Sequence, residues 1–418
     1  MEEKRVVLRY VGKYNTDSID EFCALGGYEG LKKALSMSNA DVVKVVSDSN
    51  LRGCGGAGFP TGRKWDLVQK AQGEQKYVVC NADESEPGTN KDRVIMDGDP
   101  HSVIEGIIIA GYAIGASAGY IYLRYEYPYI FPKLEKAIEE ARKAGFLGEN
   151  ILNSGFSFDI TLVSGGGAYV CGEETALLES IEGKRGEPRF KPPYPGVVGL
   201  YGCPTLINNV ETLVSIPPIV LNGGEWYKSL GVNGHSGTKV FTLCGNLKNC
   251  GIVEYPRGIN LKELIYDVGG GCPDGKKLLG VQTGGASGNI INADMIDVTL
   301  DIDDCAAAGV TFGTGGVMVF DETKDLLEIV ENLSEFFVHE SCGKCTPCRE
   351  GNTRLLQLIG KIREGKGSED DLNTITELAE TMRDCSCCGL GQVSSTPVVS
   401  SIRNFKQTYL DMVEGGQK

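Results

Sequence analysis

The chain lacks an excess of positive charge, a long apolar run and a secretion signal. Its formal net charge of -15 over 418 residues argues against nucleic acids and anionic membrane surfaces as partners, since both require clustered Lys and Arg. The longest apolar stretch, residues 103–123, contains Glu105 and several glycines, so it predicts a buried helix and strand rather than a membrane span. The opening residues, MEEKRVVLRYVGKY, show no charged segment followed by an apolar one. We therefore expect a cytoplasmic protein without disulfides.

Glycine and cysteine are abundant, with 57 and 15 residues. Several glycines are clustered, as GCGGAG at 53–58, GGG at 165–167 and 269–271, and GTGG at 313–316. Such clusters allow backbone amides to approach a ligand closely.

Two C-terminal segments carry the cysteines Cys342, Cys345 and Cys348 in SCGKCTPC, and Cys385, Cys387 and Cys388 in DCSCCGLG. Three thiolates on one loop can bind three irons of a cubane, while a fourth from a distant segment completes the shell. Four thiolates also form structural zinc sites, although these usually combine two CxxC pairs. The spacing therefore favours an iron-sulfur cluster over zinc and indicates a chain that transfers electrons.

The length predicts roughly two to four domains, and the sequence pattern changes twice. From residue 76 to 221, β-rich runs alternate with helical stretches, which is typical of an α/β layer structure. From about Thr238 the order of strand, turn, helix and strand suits a small α+β module, and after the strand VMVF the pattern is helical. We predict domains at residues 1–235, 236–324 and 325–418.

Four helices are predicted in the last of these domains, with the cysteines at two of their junctions. Ser368 is expected to cap a helix that carries Asp371 at its third position. Thr396 and Pro397 are expected to open the last helix. These helices would form a bundle that is joined by the cluster.

The run GCGGAG formally matches the dinucleotide fingerprint GxGxxG. That fingerprint must follow a strand and open a helix, whereas the preceding DVVKVVSDSNLR has a helical pattern and the following FPTGRKW contains Pro60 and Gly62. We instead interpret the run as a loop against a flat or phosphorylated ligand, with Arg52, Arg63 and Lys64 supplying positive charge. An ordinary loop is the alternative.

Three further polar segments are candidates for ligand binding, and two of them stand at the ends of predicted elements. CNADESEPGT follows the strand KYVV and carries Asp83, Glu84 and Glu86, at the carboxyl end where α/β folds bind ligands. GGGAYVCGEETALLES places Glu173 and Glu174 in a first helical turn, where acids interact favourably with the helix dipole. A solvated turn and simple helix capping are the respective alternatives.

The third segment, PTLINNVET, contains Asn208 and Asn209. Their side-chain amides can donate and accept hydrogen bonds at the same time. Packing alone does not call for such a pair, so the segment is a further candidate for ligand binding.

These four segments, in this order and ahead of ESCGKCTPCR, resemble the NADH-binding flavoprotein subunit of respiratory complex I. The same subunit occurs in soluble NAD-linked hydrogenases and formate dehydrogenases, including electron-bifurcating ones. The resemblance extends from LRGCGGAGFPTGRKW to CGLG at residue 388. It implies an α/β Rossmann-like FMN-binding core, a ubiquitin-like (β-grasp) α+β module and a C-terminal four-helix bundle that holds a 4Fe–4S cluster.

The resemblance also implies the binding residues. For FMN they are Gly53, Gly55, Lys64, Asn81, Asp83, Tyr169, Gly172, Glu173, Asn208, Asn209 and Thr212. For NADH they are Phe59, Glu86, Glu174, Lys191 and Tyr194. For the cluster they are Cys342, Cys345, Cys348 and Cys388, because the fourth ligand of the family directly precedes GLG. No acid or base is required for hydride transfer at FMN.

The implied function is that of an NADH dehydrogenase (diaphorase) subunit, which passes electrons to partner subunits. The expected partners are a thioredoxin-like 2Fe–2S subunit and a larger iron-sulfur or catalytic subunit. The abundant cysteine favours a soluble hydrogenase or formate dehydrogenase complex. The alternatives are a respiratory NADH:quinone oxidoreductase and a cluster-bearing electron-transfer subunit without NADH activity.

The chain departs from the family pattern at several points. Cys54 replaces an Arg close to the flavin, and Cys385 and Cys387 are additional thiols beside the fourth ligand. The thioredoxin-like and ferredoxin-like domains that flank this core in larger relatives are not found, so electrons are expected to leave through a partner. Glu174 matches the family acid that faces the adenosine ribose, which implies a preference for NADH over NADPH.

Overall fold

The computed structural model describes residues 1–415, which divide into two compact units. The first unit contains Met1–Ser85, Asn90–Phe241 and Ile252–Ile259. The second contains Glu86–Thr89, Thr242–Gly251 and the residues from Asn260 onward. Among residues 1–415, no helix is long and apolar enough to cross a membrane.

The first unit is built around a four-stranded sheet in the order β3-β2-β1-β4. Its strands are β1 (Tyr77–Ala82), β2 (Ala118–Leu123), β3 (Asp159–Ser164) and β4 (Thr205–Asn209), and every neighbouring pair is parallel. The chain proceeds from β1 to β2 and β3 on one side and then returns to place β4 on the other side of β1. The strand order therefore reverses between β1 and β4, which is where open α/β sheets bind ligands at their carboxyl ends.

The helices of this unit are α1 (Ile19–Ala24), α2 (Glu29–Leu35), α3 (Asn39–Asp48), α4 (Thr61–Lys70), α5 (Lys91–Gly98), α6 (Pro100–Ile114), α7 (Phe131–Lys143), α8 (Glu174–Ile181), α9 (Val210–Val214), α10 (Ile216–Asn222) and α11 (Gly224–Lys228). Short 3-10 turns occur at Ile151–Asn153, Tyr169–Gly172 and Leu200–Gly202.

Helix α6 and strand β2 occupy the longest apolar stretch, so the predicted buried helix and strand are confirmed. Asp99 caps α6 by accepting a hydrogen bond from Ser102 N at 3.3 Å, Pro100 takes the first position, and Gly115 ends the helix at φ 73°. These residues follow the usual preferences for helix ends. Nearly all of α6 is buried, since it packs in the core that covers the parallel sheet.

The expectation that Pro60 and Gly62 oppose a helix was wrong. Pro60 is the N-cap of α4, where a missing amide proton costs no helical hydrogen bond. Gly62 allows α4 to approach α3, because an added Cβ would lie 2.3 Å from Ser47 Cα. The helical pattern before the glycine run is confirmed as α3, so the run still follows a helix rather than a strand.

A second sheet has the order β6-β5-β9-β7-β8. Its strands are β5 (Thr238–Gly245), β6 (Gly251–Pro256), β7 (Leu278–Thr283), β8 (Ile290–Asn292) and β9 (Gly316–Asp321). Strands β5 and β9 are parallel, whereas β7 is antiparallel to β8 and β9. The predicted strands β5, β7 and β9 are confirmed. Beside them lie α12 (Leu261–Glu263), a π-helical turn (Leu264–Val268), 3-10 turns at Pro273–Gly275 and Ala293–Met295, and α13 (Ile302–Ala307).

The C-terminal helices are α14 (Leu326–Glu340), α15 (Thr346–Arg363), α16 (Glu369–Cys385), α17 (Gly389–Val393), α18 (Thr396–Asn404) and α19 (Lys406–Gly415). Ser368 and Asp371 form the predicted cap of α16 as a reciprocal capping box. The helix predicted to begin at Thr396 is interrupted at Phe405, whose φ of -127° and ψ of 39° are not helical.

We predict that Gly106→Ala destabilises the protein, because an added Cβ would lie 2.2 Å from the carbonyl oxygen of Leu213. Overpacking of this kind typically costs about 1–3 kcal/mol. The matched control is Gly360→Ala in α15, where the new methyl would meet only Glu331 Oε1 at 3.2 Å and alanine is the better helix former. Thermal unfolding should therefore show a lower midpoint for Gly106→Ala alone, and equal midpoints would contradict the packing argument.

Candidate functional site

Polar side chains from β1 and β4 meet at the carboxyl ends of these two strands. The register pairs Cys80 with Asn208 and Asn81 with Asn209. Asn81 Nδ2 donates to the carbonyl of Gly172 at 2.8 Å, while Asn81 Oδ1 accepts from Asp83 N at 3.1 Å. Asn81 therefore joins the end of β1 to the turn that precedes α8.

The glycine run at 53–58 lies against the end of β4. Cys54 N donates to Thr212 Oγ1 at 2.9 Å, and a Cβ added to Gly55 would lie 3.2 Å from Asn209 Cβ. Gly56 has a φ of 114°, a conformation that only glycine adopts readily. The run is thus a loop beside the point where the strand order reverses; the sequence predicted the loop but not its place at this point of the sheet.

Cys54, which replaces the family's Arg, is buried with 2% of its surface exposed. Burial raises the pKa of its thiol, and the Glu211 carboxylate adds to this effect. The thiol is therefore neutral and supplies no charge to the surrounding loop.

The acidic pair at the start of α8 has two separate roles. Glu173 is the N-cap, and its carboxylate accepts from Thr175 N at 2.8 Å and Ala176 N at 3.0 Å. Glu174 binds Lys64 at 3.2 Å and Lys191 at 2.8 Å. Burial raises the pKa of Glu174, but Lys64 and Lys191 outweigh burial and hold that pKa below its usual value.

Lys191 completes this charged group, because its ammonium binds both Glu173 and Glu174 at 2.8 Å. Burial lowers the pKa of Lys191, and the two carboxylates outweigh this and raise it overall. Both pKa shifts favour the charged forms of Glu174 and Lys191. Glu174 thus lies between a lysine from α4 and one from the segment after α8.

Both aromatic side chains assigned to the nucleotide are exposed. Phe59 is 44% and Tyr194 is 60% exposed, and the guanidinium carbon of Arg63 lies 5.9 Å from the centre of the Phe59 ring. Exposed rings offer flat apolar surfaces on which the planar parts of a nucleotide can stack.

Glu86 belongs to the second unit, unlike the neighbouring Asp83. Its Oε1 accepts from Ser287 N and from Ser287 Oγ, both at 2.8 Å. Gly285 has a φ of +103°, and a Cβ there would lie 2.4 Å from Glu86 Cγ. Sequence reasoning missed Ser287, although the glycine-rich segment TGGASG was a signal for a loop of this kind.

Sequence reasoning also missed a buried ionic group beneath Asn209. It consists of Lys91, Asp92, Glu211 and Lys239, whose side chains are between 0% and 4% exposed. Buried charges normally occur only when they are paired. The one sequence signal was the pair Lys91–Asp92, which comes soon after the acidic segment CNADESEPGT at the end of β1.

The two cysteine segments meet at the start of α15. Cys345 is the N-cap of α15 and Cys348 lies in its first turn, while Cys388 is the N-cap of α17. A Cβ added to Gly391 would lie 2.9 Å from Cys348 Cβ, which shows that the segment after Cys388 packs directly on α15.

Hydrogen bonds surround these sulfurs. Cys348 Sγ lies 3.2 Å from Ser341 Oγ and accepts from Asn352 Nδ2 at 3.4 Å. Burial raises the pKa of Cys345, but hydrogen bonds from the Cys387 and Cys348 backbones outweigh it and lower that pKa overall. Burial raises the pKa of Cys348 overall, although the hydrogen bonds from Ser341 and Asn352 oppose that rise. Helix N-termini and donated hydrogen bonds favour thiolates, the form that binds iron. Across residues 1–415, no set of three His, Cys, Asp or Glu side chains is arranged to hold a single metal ion.

Comparisons with known proteins agree with this picture. Residues 46–218 match the family described as the Nuo51 FMN-binding domain, and residues 328–412 match the NADH-ubiquinone oxidoreductase-F iron-sulfur binding region. The chain is 48% identical to the HndC subunit of the NADP-reducing hydrogenase of Solidesulfovibrio fructosivorans over 98% of this chain and 83% of that protein. It is 44% identical to an NADH-quinone oxidoreductase subunit of Rhizobium meliloti over 98% and 97% of the two chains.

A solved NAD+-reducing [NiFe]-hydrogenase in the H2-reduced state contains a similar chain. The two align with a TM-score of 0.85 and 36% identity, over 98% of this chain and 67% of the hydrogenase chain. The resemblance inferred from the motifs is therefore confirmed, as is the mixed α/β fold with a parallel sheet. This chain belongs to the family of NADH-binding flavoprotein subunits that carry an FMN-binding domain and a 4Fe–4S binding region, and it is an oxidoreductase subunit.

Proposed function

We propose that this chain transfers hydride between NADH and FMN and passes single electrons through a 4Fe–4S cluster to the partner subunits of a soluble NAD-linked hydrogenase or formate dehydrogenase. The observation that carries the proposal is the convergence at the β1 and β4 carboxyl ends. There, Asn81 donates to the turn at Tyr169–Gly172, Asn209 contacts the glycine loop at 53–58, and Asn208 precedes Asn209 on β4.

The residues at this point suit a flavin phosphate. Gly53, Gly55 and Gly172 present backbone without a Cβ, so backbone amides can approach closely. Lys64 supplies positive charge, and Asn208 supplies amide donors. FMN held there by these residues, with Asp83, Tyr169, Glu173, Asn209 and Thr212 around it, would supply a group that accepts hydride and releases electrons singly.

The nucleotide site is proposed on the residues beside the flavin residues. Phe59 and Tyr194 would stack against the nucleotide and orient the nicotinamide, which lowers the entropic barrier to hydride transfer. Glu174 and Lys191 would bind its polar groups. Glu86 is also assigned to the nucleotide by family resemblance, and Ser287 fixes the orientation of its carboxylate.

The cluster is proposed to bind Cys342, Cys345, Cys348 and Cys388. Three of these sulfurs lie on one loop and helix start, and the fourth comes from a segment that packs against that helix. The donor set fits a cubane with four thiolates.

The adjoining helices α14 to α19 support the proposed helical bundle, and the mixed order of the second sheet supports the proposed β-grasp module. The boundaries at residues 235 and 324 stay predictions.

The partners are proposed to be a thioredoxin-like 2Fe–2S subunit and a larger catalytic or iron-sulfur subunit. Relatives of this chain are named as subunits of a hydrogenase and of NADH-quinone oxidoreductases. We favour a hydrogenase-type assembly, because a relative with 48% identity and an aligned solved structure both belong to hydrogenases. Electron bifurcation is part of this proposal, and a respiratory NADH:quinone assembly is the second candidate.

We predict that Cys388, rather than Cys385 or Cys387, is the fourth cluster ligand. Cys388→Ala should lower the iron content of the anaerobically purified chain well below about four per chain and abolish its cluster signal. Cys385→Ala and Cys387→Ala are the matched controls, since each removes a neighbouring thiol and should retain the iron. Loss of iron in a control together with retention in Cys388→Ala would reverse the assignment.

We predict that Glu174 sets the preference for NADH. In the native protein, the 2′-phosphate of NADPH would lie close to this carboxylate, and the resulting repulsion disfavours NADPH. Glu174→Ala removes the repulsion and leaves Lys64 and Lys191 without their shared carboxylate. The kcat/KM for NADPH, divided by the kcat/KM for NADH, should therefore rise about tenfold. This change corresponds to about 1.4 kcal/mol.

The control is Glu139→Ala, which removes an exposed carboxylate of α7 that pairs with Lys143 at 3.8 Å. It should leave the nucleotide ratio and FMN content unchanged. A ratio that stays the same in Glu174→Ala would remove Glu174 from the nucleotide site.

A further inference from the structure

Two polar side chains contact the sulfur of Cys348, one of the proposed cluster ligands. Ser341 Oγ lies 3.2 Å from Cys348 Sγ, and Asn352 Nδ2 lies 3.4 Å from the same sulfur. Cys348 is 5% and Asn352 is 2% exposed. Because little water reaches these groups, their hydrogen bonds act on the sulfur in surroundings of low dielectric constant, where such bonds are strong.

Helix α15 places Asn352 beside this sulfur. Cys348 and Asn352 are four residues apart within the helix, so their side chains lie on the same face. Asn352 Nδ2 donates to the carbonyl oxygen of Cys348 at 2.9 Å as well as to its sulfur. The reverse orientation of the amide would set its oxygen against the carbonyl oxygen and the sulfur, so the contacts fix the NH2 group toward both acceptors.

Ser341 reaches the same sulfur from the end of α14. It is the C-cap of that helix, and Gly343, with a φ of 76°, allows the tight turn that follows. Ser341 Oγ accepts a hydrogen bond from Gly343 N at 3.3 Å, which leaves the hydroxyl proton for another acceptor. A cysteine that binds iron has lost its proton, so the Ser341 hydroxyl is the donor to the Cys348 sulfur.

The effect of two such donors has a definite sign. A cluster bound by four thiolates becomes more negative when it accepts an electron, and hydrogen bonds to its sulfurs therefore stabilise the reduced form more than the oxidised form. Groups that contact a ligand rather than the metal tune a redox site in this way. Both donors to Cys348 thus act to raise the reduction potential.

We propose that Ser341 and Asn352 are positioning residues that donate to the Cys348 sulfur and raise the reduction potential of the cluster, which favours electron flow from the flavin to the cluster. The inference rests on the proposed function, because it requires a cluster bound by Cys348. Neither side chain binds iron in this account, and both act only through the sulfur.

The experiment is a potentiometric titration of the anaerobically purified chain, in which the paramagnetic signal of the reduced cluster is followed. Iron content and the thermal midpoint are recorded for each protein. Wild type is measured first, and a wild-type chain without a cluster would refute the proposed function. A bound cluster whose potential does not depend on Ser341 or Asn352 would refute this inference alone.

Ser341→Ala and Asn352→Leu should each retain about four irons per chain and lower the reduction potential. For the loss of one hydrogen bond to a charged sulfur we expect a tenfold change in the equilibrium constant for reduction, which is about 59 mV for a one-electron couple. Ser341→Thr keeps a hydroxyl donor and should keep the wild-type potential. A purely structural role would not give this difference between alanine and threonine.

The matched control is Ser334→Ala in α14. Ser334 is buried, and its hydroxyl donates to the carbonyl oxygen of Val330 at 2.8 Å rather than to a cysteine. The control should keep the wild-type potential. A fall in potential equal to that of Ser341→Ala would overturn the proposal, as would wild-type potentials in both Ser341→Ala and Asn352→Leu.

A measurement on wild type decides the matter if the variants lose their iron. Asparagine labelled with ¹⁵N at the side-chain amide is incorporated, and the reduced cluster is examined by pulsed electron paramagnetic resonance. A magnetic coupling between the label and the cluster, absent from the unlabelled chain, is the expected result, because Asn352 Nδ2 donates to a ligand sulfur. A labelled chain without this coupling would overturn the proposal.

Discussion

The parallel pairing of β1 with β4 is the constraint on which the proposed flavin site depends. The chain forms β2 and β3 on one side of β1 before β4 pairs on the other side, so the connections diverge at the carboxyl ends of β1 and β4. The register sets Asn81 level with Asn209. A shift of one residue would turn the side chains of β4 to the opposite face of the sheet, and the contact of Asn209 with the glycine loop would be lost.

Electrostatic pairing keeps this region fixed in an otherwise acidic chain. Lys64 and Lys191 flank Glu174 near the surface, while Lys91 and Lys239 flank Glu211 in the interior. In both groups a single carboxylate is shared by two lysines. The surface group can exchange its partners for a charged ligand, because its side chains are about one quarter exposed. The interior group cannot do so without leaving a buried charge unpaired, which is strongly unfavourable.

The sequence predicted the features that depend on local patterns. Strands β1 to β3, the buried helix α6 and the capping box at Ser368 each have a signal within a few residues. Strand β4 was not predicted, because two asparagines weaken the β signal of its five residues.

The features that were missed depend on contacts between distant residues. Ser287 is 201 residues from Glu86, and Asn209 is 117 residues from Asp92, so no periodicity in the chain could indicate either pair. The expectation at Pro60 and Gly62 failed for a related reason. Gly62 is explained by its contact with Ser47 in another helix, which local propensity does not describe.

The central claim is that electrons from NADH reach the cluster only through the flavin. It is tested most directly by an anaerobic titration of the purified chain with NADH, in which flavin absorbance and the paramagnetic signal of the reduced cluster are recorded together. We expect NADH to bleach the flavin and to produce the cluster signal in the FMN-containing protein. The deflavinated protein should retain its iron, give no cluster signal with NADH, and regain the signal when FMN is added. A deflavinated chain whose cluster is reduced by NADH at the same rate would contradict the account.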